Sequence, residues 1–284
     1  MSRPLFRQVS IIGLGLIGGS LGMALRRGRV ARRVIGFTRR EATLRRALAK
    51  GAIDDGDTEL CPDWLSESDL VVIATPPLTV PRLAREAACL AHRPLIITDV
   101  ASTKAEIVRA LERGLPRHAR FVGAHPMAGS NRSGIEAADA HLFRGAVCVV
   151  TPTVRTSSAA AAKVASLWRG VGCRVARMSP DRHDMLVAEV SHLPHLAAAA
   201  LVQAVSPAAF TLAGNGFRDT TRVAQGDPAL WEEICRTNRK EVFSSLNRLI
   251  AELKLLRGAV ESRRFAVVLR ELRAARRRRK SLRG

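Results

Sequence analysis

Three short segments of the sequence combine residue types that can do chemistry. Residues 13–18 read Gly-Leu-Gly-Leu-Ile-Gly, a G-x-G-x-x-G motif. Residues 124–130, Ala-His-Pro-Met-Ala-Gly-Ser, and residues 191–195, Ser-His-Leu-Pro-His, place histidines in segments bounded by glycine or proline. A single histidine is usually structural, but an imidazole can take up and release a proton near pH 7. The two histidine segments are therefore candidate sites of proton transfer.

The glycine motif predicts a dinucleotide site because of its context. It follows a short apolar run, residues 9–12, and precedes a predicted helix over residues 19–27. In such a turn the first glycine permits a tight bend, the second lets a pyrophosphate approach, and the third lets helix and strand pack closely. The free N–H groups at the helix N-terminus would face the phosphates. The predicted cofactor-binding residues of this turn are Gly13, Gly15, Leu16, Ile17 and Gly18.

The end of the second predicted strand bears on which nicotinamide dinucleotide is bound. NAD sites usually carry Asp or Glu there, which binds the ribose 2′-hydroxyl. This sequence has Thr38, Arg39 and Arg40 instead, a hydroxyl and two guanidinium groups that suit a 2′-phosphate. The sequence therefore favours NADP over NAD, although the arginines could also be solvated residues at a helix start. Thr75 and Pro76, after a further apolar run, complete the predicted cofactor contacts.

The elements that would position these segments alternate along the first part of the chain. Strands are predicted over residues 9–12, 34–37, 69–74, 94–99, 121–124 and 173–178. Helical patterns separate several of these runs, and this alternation is typical of βαβ units and a parallel sheet. The fold class is therefore α/β, with a Rossmann-type dinucleotide-binding domain over residues 1–178.

The remainder of the chain, residues 179–284, is predicted to be an all-helical substrate and dimerisation domain. Helices are predicted over residues 184–205, 229–256 and 262–279, and a segment containing Gly and Asn, residues 213–227, interrupts them. Long helices without a sheet of their own often pair with a second subunit. We therefore expect a homodimer.

The amino-acid composition limits the classes of binding partner and the cellular compartment that we expect. The 284 residues carry 46 Lys and Arg against 25 Asp and Glu, a formal charge of +21, and a basic tail over residues 273–284. The charge suits anionic cofactors and carboxylate substrates. Nucleic acid is not expected because no zinc finger, basic zipper or aromatic-rich RNA motif accompanies the tail.

Five scattered cysteines without a C-x-x-C pair favour the cytoplasm and predict no metal site. The sequence contains no uncharged stretch of 18 apolar residues, so we expect no membrane span.

Six segments, in this order, resemble the prephenate and arogenate dehydrogenases of tyrosine biosynthesis. They are residues 13–20, 99–104, 125–130, 134–139 with 142–143, 191–195 and 216–222. The resemblance runs from about residue 8 to residue 245. The glycine motif is shared by many dehydrogenases, whereas the combination of the two histidine segments with residues 216–222 is much more specific.

The resemblance implies an oxidative decarboxylation. Prephenate would lose hydride to NAD(P) and its ring carboxylate as carbon dioxide, giving 4-hydroxyphenylpyruvate. Arogenate, which would give tyrosine directly, is the alternative substrate. Another NADP-dependent two-domain dehydrogenase, of the β-hydroxyacid type, would share the glycine motif but not the two histidine segments. A nucleic-acid-binding protein on a Rossmann scaffold is the alternative from a different class.

The same resemblance implies the catalytic residues. His125 would take the proton of the 4-hydroxyl group as hydride departs, work that suits a neutral imidazole near pH 7. Ser102 would orient that histidine and border the nicotinamide. Ser102 also precedes a predicted helix and could cap it.

The residues implied for substrate binding lie in the second half of the chain. Arg222 would bind a substrate carboxylate, since a guanidinium pairs with a carboxylate at two points. His195 would contact the substrate from the helical domain, with Ser191 as a weaker candidate. Asn215 and Asp219 complete the predicted set. A neutral Asn215 near the substrate side chain favours the keto acid of prephenate over the ammonium group of arogenate.

Overall fold

The predicted alternation of strands and helices is present in the structure. The computed structural model describes residues 4–130 and 132–282. The chain divides into two compact units, Met1–Arg239 and Lys240–Gly284, and the whole sheet lies in the first. The domain boundary at residue 178 stays a prediction.

An eight-stranded sheet forms the centre of the first unit. Its strands are β1 (Phe6–Ile12), β2 (Ala31–Phe37), β3 (Asp55–Asp57), β4 (Leu70–Ile73), β5 (Leu95–Asp99), β6 (Ala119–Pro126), β7 (Val147–Thr151) and β8 (Arg174–Arg177). Their order across the sheet is β3-β2-β1-β4-β5-β6-β7-β8, and neighbours are parallel except β6 and β7. Strands β1, β2, β4, β5 and β6 therefore end at one edge, the edge where ligands bind in open α/β sheets.

Helices from the first part of the chain lie on both faces of this sheet. The helices of the described chain are α1 (Leu16–Arg27), α2 (Glu41–Ala49), α3 (Pro62–Glu67), α4 (Val80–Leu90), α5 (Ala105–Gly114), α6 (Ser158–Gly170), α7 (Pro180–Val187), α8 (Leu193–Ala204), α9 (Asn215–Thr221), α10 (Pro228–Thr237), α11 (Arg239–Glu261) and α12 (Phe265–Ser281). Along β4, Leu70 and Val72 belong to one buried apolar cluster and Val71 and Ile73 to another. Because side chains alternate along a strand, the two clusters are the cores on the two faces.

The helical region differs from the prediction in two places. The segment 213–227 was expected to interrupt the helices, but it contains α9 and a 3₁₀ turn, Arg222–Gln225. Helix propensity is a weak guide where tertiary contacts exist, and α9 packs on α8. The predicted helix over residues 229–256 breaks at Asn238, whose side chain donates a hydrogen bond to the Asp184 carbonyl oxygen. The short strands β3 and β7 were not predicted from the sequence.

The chain is helical on both sides of Pro194. Between α7 and α8 the chain passes through a π-helical turn, Ala188–His192, and Pro194 lies in the first turn of α8. The resulting segment, Pro180–Ala204, is long and apolar enough to cross a membrane by length and composition, which is weak evidence. It also carries four buried polar side chains, namely His183, Asp184, His192 and His195. The absence of a membrane span stays a prediction.

Candidate active site

The turn after β1 leaves room for a phosphate at the start of α1. Gly13 has a φ of +100°, and a Cβ there would lie 2.5 Å from the carbonyl oxygen of Ala74. A Cβ at Gly18 would lie 1.9 Å from the Gly13 carbonyl oxygen. At Gly15 a Cβ would meet nothing within 4 Å, and α1 begins after it without a side-chain cap. The first-turn N–H groups of α1 are therefore available to an anion, as a bound pyrophosphate requires.

A cavity of about 810 Å³ opens beside this turn, at the ends of β1, β2 and β4. This volume is in the range of small-molecule and cofactor sites. The predicted cofactor residues that line it are Gly13, Gly15, Thr38, Arg39, Thr75 and Pro76. The remaining predicted ones, which lie outside its lining, are Leu16, Ile17, Gly18 and Arg40. The cavity and the glycine turn together fit a dinucleotide.

His125 is the first of three side chains that are linked in a row. It is 8% exposed, at the second-last position of β6, and its Nδ1 lies 2.9 Å from Nε2 of His183 in α7. The Nδ1 of His183 lies 2.7 Å from Oδ1 of Asp184. The Asp184 carboxylate also accepts hydrogen bonds from the backbone N–H groups of Lys104 and Ala105, each at 2.8 Å. The row therefore connects the end of β6 to the start of α5.

A buried ion pair fixes the backbone immediately before His125. The Lys104 ammonium group and the Asp99 carboxylate are fully buried and contact each other. Lys104 Nζ donates a hydrogen bond to the Ala124 carbonyl oxygen at 2.9 Å. The Ala124 N–H donates to Asp99 Oδ1 at 3.1 Å. The residue that precedes His125 is thus held by both members of the pair.

Burial controls the protonation of the site histidines. It holds the pKa of His125 well below the ordinary 6.5, and the neighbouring charges of His183, Lys104 and His192 lower it further. Burial also lowers the pKa of His192 to about 4, and it lowers the pKa of His195. His125 is therefore a neutral imidazole at pH 7, which leaves one ring nitrogen with a lone pair that can accept a proton.

The second histidine segment lies where the π-helical turn leads into α8. The His195 ring stacks on Trp231 of α10, with ring centroids 3.5 Å apart and an interplanar angle of 13°. The His192 ring meets the same indole edge-on at 6.0 Å, and its Nδ1 lies 3.3 Å from Nδ2 of Asn238. Ser191 is half-buried in the turn. The stacking fixes the orientation of the His195 ring.

Three predicted substrate residues share one face of α9. Asn215, Asp219 and Arg222 follow one another at spacings of four and three residues, and the backbone is still helical at Arg222. All three are exposed, and Arg222 forms no ion pair within residues 4–130 and 132–282. A Cβ at Gly226 would lie 2.9 Å from Cε1 of His195. The fold therefore brings the segment that follows Arg222 against His195.

Comparison with known proteins identifies the family. The model of the prephenate dehydrogenase nucleotide-binding domain matches residues 21–177, and that of the prephenate dehydrogenase dimerization domain matches residues 179–274. The chain belongs to the prephenate dehydrogenase family. It is therefore an oxidoreductase, as the six sequence segments predict, and the β-hydroxyacid alternative is not supported.

Individual members of the prephenate dehydrogenase family match most of the chain. The prephenate dehydrogenase of Bacillus subtilis is 35% identical over 260 residues, which are 89% of this chain and 70% of that protein. The cyclohexadienyl dehydrogenase of Zymomonas mobilis is 35% identical over 265 residues, 90% of this chain and 89% of that protein. The crystal structure of A. aeolicus prephenate dehydrogenase in complex with hydroxyphenyl propionate and NAD+ has a TM-score of 0.90. It is 30% identical and covers 100% of this chain and 99% of that chain, which confirms the predicted fold class.

Ser102 differs from its prediction in one respect. It lies half-buried in the bend between β5 and α5, and its hydroxyl makes no hydrogen bond within the described parts of the chain. Helix α5 begins at Ala105 with Lys104 in the capping position and no side-chain cap, so the expected capping role of Ser102 is wrong. The side chain that contacts the His125 ring nitrogen is that of His183. A role for Ser102 beside the substrate stays a prediction.

Several site residues were missed by the sequence analysis. His183 and Asp184 lie where the predicted helix over residues 184–205 begins, and neither was given a role. Asp99 and Lys104 are the first and last residues of segment 99–104, which contributes to the family resemblance, but neither was given a role. Further residues that line the cofactor cavity are Leu14, Thr43, Thr58, Glu59, Thr79, Arg82, Glu86, Gly134, Ile135 and Glu233. Their positions depend on tertiary structure, which no local pattern predicts.

Proposed function

We propose that this chain oxidises prephenate to 4-hydroxyphenylpyruvate in tyrosine biosynthesis, releasing the ring carboxylate as carbon dioxide. The observation that carries the proposal is His125, a buried and neutral imidazole. It stands at the same sheet edge as the glycine turn and the cavity. Membership of the prephenate dehydrogenase family supports the reaction.

In the proposed reaction His125 is the general base. Its neutral ring accepts the proton of the 4-hydroxyl group, which leaves the oxygen free to form a carbonyl as the C–H bond gives up hydride. When bound, the nicotinamide supplies the hydride acceptor. The C–C bond to the ring carboxylate then breaks, its electron pair completes the aromatic ring, and the carbonyl oxygen regains a proton. A positioned base of this kind contributes about 10²–10⁴-fold to the rate.

Substrate binding is assigned to the face formed by α8, α9 and the turn after it. Prephenate carries two carboxylates, and Arg222 is an exposed guanidinium without an ion-pair partner in the described chain. It would hold one carboxylate in two-point geometry. His195 and Ser191 would contact the substrate from the segment around the π-helical turn, and Asn215 lies on the same face as Arg222.

Arogenate is a second candidate substrate, and a specific observation favours it. Asp219 lies one helical turn from Asn215 on the exposed face of α9. The Asp219 carboxylate would pair with the ammonium group of arogenate, whereas the neutral Asn215 side chain does not require a positively charged group on the substrate. The name of the Zymomonas mobilis relative, cyclohexadienyl dehydrogenase, covers a wider class of substrate than prephenate alone. Both acids therefore need to be tested.

We also propose NADP as the preferred cofactor, with NAD as the alternative. Thr38 and Arg39 line the cavity, and Arg39 suits a 2′-phosphate. Two observations favour NAD instead. Glu59 lines the same cavity, and the A. aeolicus structure holds NAD+.

Arg39 and Arg40 form a matched pair for testing the cofactor, because Arg40 does not line the cavity. Arg39→Ala should raise the KM for NADP by about tenfold or more, the effect of losing roughly 1.4 kcal/mol of binding. The KM for NAD should change little. Arg40→Ala should have a smaller effect on both cofactors, and equal effects of the two substitutions would contradict the assignment.

The proposed function is tested by initial rates of nicotinamide reduction in a two-by-two design. Prephenate and arogenate are each assayed with NADP and with NAD. Turnover of prephenate supports the main proposal, and turnover of arogenate alone supports the second candidate. A folded protein that binds cofactor but reduces it with neither acid would refute both.

We further propose that the enzyme is a cytoplasmic homodimer. Residues 179–274 match the dimerization domain of the family. Within the second unit, an apolar groove is lined by Leu253, Leu256, Val260, Val268 and Leu272, and Phe265 and Leu269 are exposed beside it. Sedimentation velocity on the full chain tests the dimer. The five cysteines are all free, which supports a reducing compartment.

A further inference from the structure

We infer that His183 and Asp184 are positioning residues that fix the tautomer of His125, so that Nε2 carries the lone pair which accepts the substrate proton. The inference deepens the proposed function, on which it rests for the identity of the proton donor. The tautomer itself is a property of the protein without ligands. It can therefore be tested separately from the reaction.

The direction of the hydrogen bonds follows from the last member of the row. A carboxylate can only accept, so His183 Nδ1 must carry a proton and donate it to Asp184 Oδ1. In a neutral His183 ring, Nε2 is then an acceptor. His125 Nδ1 lies 2.9 Å from that acceptor and must donate to it. This leaves His125 Nε2 unprotonated, which is the state that a general base requires.

Asp184 is held in this role by the start of α5. Its two carboxylate oxygens accept the backbone N–H groups of Lys104 and Ala105, both at 2.8 Å, and Asp184 is 2% exposed. Two backbone donors and one imidazole donor all point at the carboxylate. These three donors fix the position of the carboxylate against His183.

The same row of side chains allows a buried imidazole to take up a positive charge. When His125 Nε2 gains the hydroxyl proton, its Nδ1 proton can move to His183 Nε2, since these atoms already share a hydrogen bond. His183 is then the imidazolium, beside the Asp184 carboxylate. One O–H bond breaks, one N–H bond forms, and a second proton shifts along the row. The positive charge ends next to a negative one instead of within a neutral pocket.

The other ionisable groups around His125 do not offer this stabilisation. Lys104 is a cation, and its partner Asp99 is already paired with it. His192, from the π-helical turn, lowers the pKa of His125. Cys148 lies on the neighbouring strand β7, opposite Pro126, and burial raises the pKa of its thiol so that it stays neutral. Asp184 is therefore the carboxylate available to His125, through His183.

The first test measures the tautomer in wild-type protein without cofactor or substrate. Side-chain ¹⁵N–¹H NMR distinguishes protonated from unprotonated ring nitrogens, and the His125→Asn variant identifies the signals of His125. At pH 7 we expect a neutral His125 ring with its proton on Nδ1. A ring protonated on Nε2 would overturn the inference, whatever the activity of the enzyme.

The second test compares two identical substitutions on one helix. Asp184→Asn should lower kcat by at least about 100-fold, because the amide lets His183 reverse and places the His125 proton on Nε2. The substrate KM and the cofactor Kd should stay within about threefold, because His183 and Asp184 are buried and do not line the cofactor cavity. Asp181→Asn is the control, since Asp181 is 77% exposed in its side chain and pairs only loosely with Arg109, at 3.6 Å. Its kcat should be unchanged.

A second variant guards against a folding defect in Asp184→Asn. In His183→Gln the backbone contacts of Asp184 are retained, and the amide oxygen can still accept from His125 Nδ1. The tautomer should then persist while kcat falls, because the proton cannot shift to the second ring. Both variants retaining kcat within threefold of wild type would refute the inference. A wild-type enzyme that oxidises neither acid would refute the proposed function instead, and the NMR measurement would still stand.

Discussion

Substitutions in the glycine turn can separate an effect on cofactor binding from an effect on folding. Gly15→Ala places a methyl group where nothing lies within 4 Å, at a backbone φ of −82° that alanine readily adopts. Gly→Ala at a compatible position stabilises by about 0.4–1 kcal/mol through the unfolded state. Alanine is also a poorer N-cap than glycine by a similar amount, roughly 0.5–1 kcal/mol. The two effects offset, so we expect a melting temperature within about 3 °C of wild type.

The cofactor should respond differently, because the added methyl group occupies the space that a pyrophosphate would enter. We expect the Kd for the dinucleotide to rise at least about tenfold, or roughly 1.4 kcal/mol. Gly18→Ala is the matched control, since its Cβ would lie 1.9 Å from the Gly13 carbonyl oxygen and should destabilise the fold by about 1–3 kcal/mol or more. Thermal unfolding and calorimetric titration measure both quantities. An unchanged Kd in Gly15→Ala would refute the placement of the phosphates.

Four further predictions concern the site histidines and Arg222, the arginine proposed to bind the substrate. His125→Asn should lower kcat by about 10²–10⁴-fold without changing the cofactor Kd. Because the pKa of His125 lies below 6.5, the wild-type kcat should be retained at pH 6.5 and should decrease only at lower pH. A kcat that already decreases with falling pH above pH 7 would contradict this. Arg222→Ala should raise the substrate KM, whereas Arg236→Ala, which removes an exposed arginine of α10, should not. The pKa of His192 is about 4 in the fold against 6.5 ordinarily, so the unfolded chain binds more protons between these values. The free energy of unfolding should therefore fall by roughly 3 kcal/mol from pH 6.5 to pH 4 in urea titrations, and a flat profile would contradict it.

Local patterns were sufficient for most of the sheet. The six predicted strands correspond to β1, β2, β4, β5, β6 and β8. The first five contain an apolar run between turn residues, whereas β8 has an arginine at each end. Strand β3 is only three residues long, Asp55–Asp57, and has no apolar pattern of its own. It forms by pairing with β2. The sequence contains no signal for a strand whose stability comes from its neighbour.

The glycine turn of the candidate site was predictable from the spacing of its residues, and the role of His125 was implied by the family resemblance. The role of His183 could not be predicted, because a histidine in a helix is usually structural. Its role depends on a contact between residues that are 58 positions apart in the chain. The hydrogen bond from Asn238 to Asp184 has the same origin, since it depends on a helix break that the pattern over residues 229–256 did not indicate.

The junction between β5 and α5 controls His125 in two independent ways. Through Lys104 and Asp99 it holds the backbone of Ala124, and so the position of the ring. Through the N–H groups of Lys104 and Ala105 it holds Asp184, and so the state of the ring nitrogens. The two effects are separable, because the first uses the Lys104 side chain and the second its backbone. Lys104→Met should therefore displace His125 and destabilise the fold by about 3–5 kcal/mol, since it leaves Asp99 buried and unpaired. The His125 tautomer should nevertheless be retained, because the substitution keeps the backbone N–H group that binds Asp184.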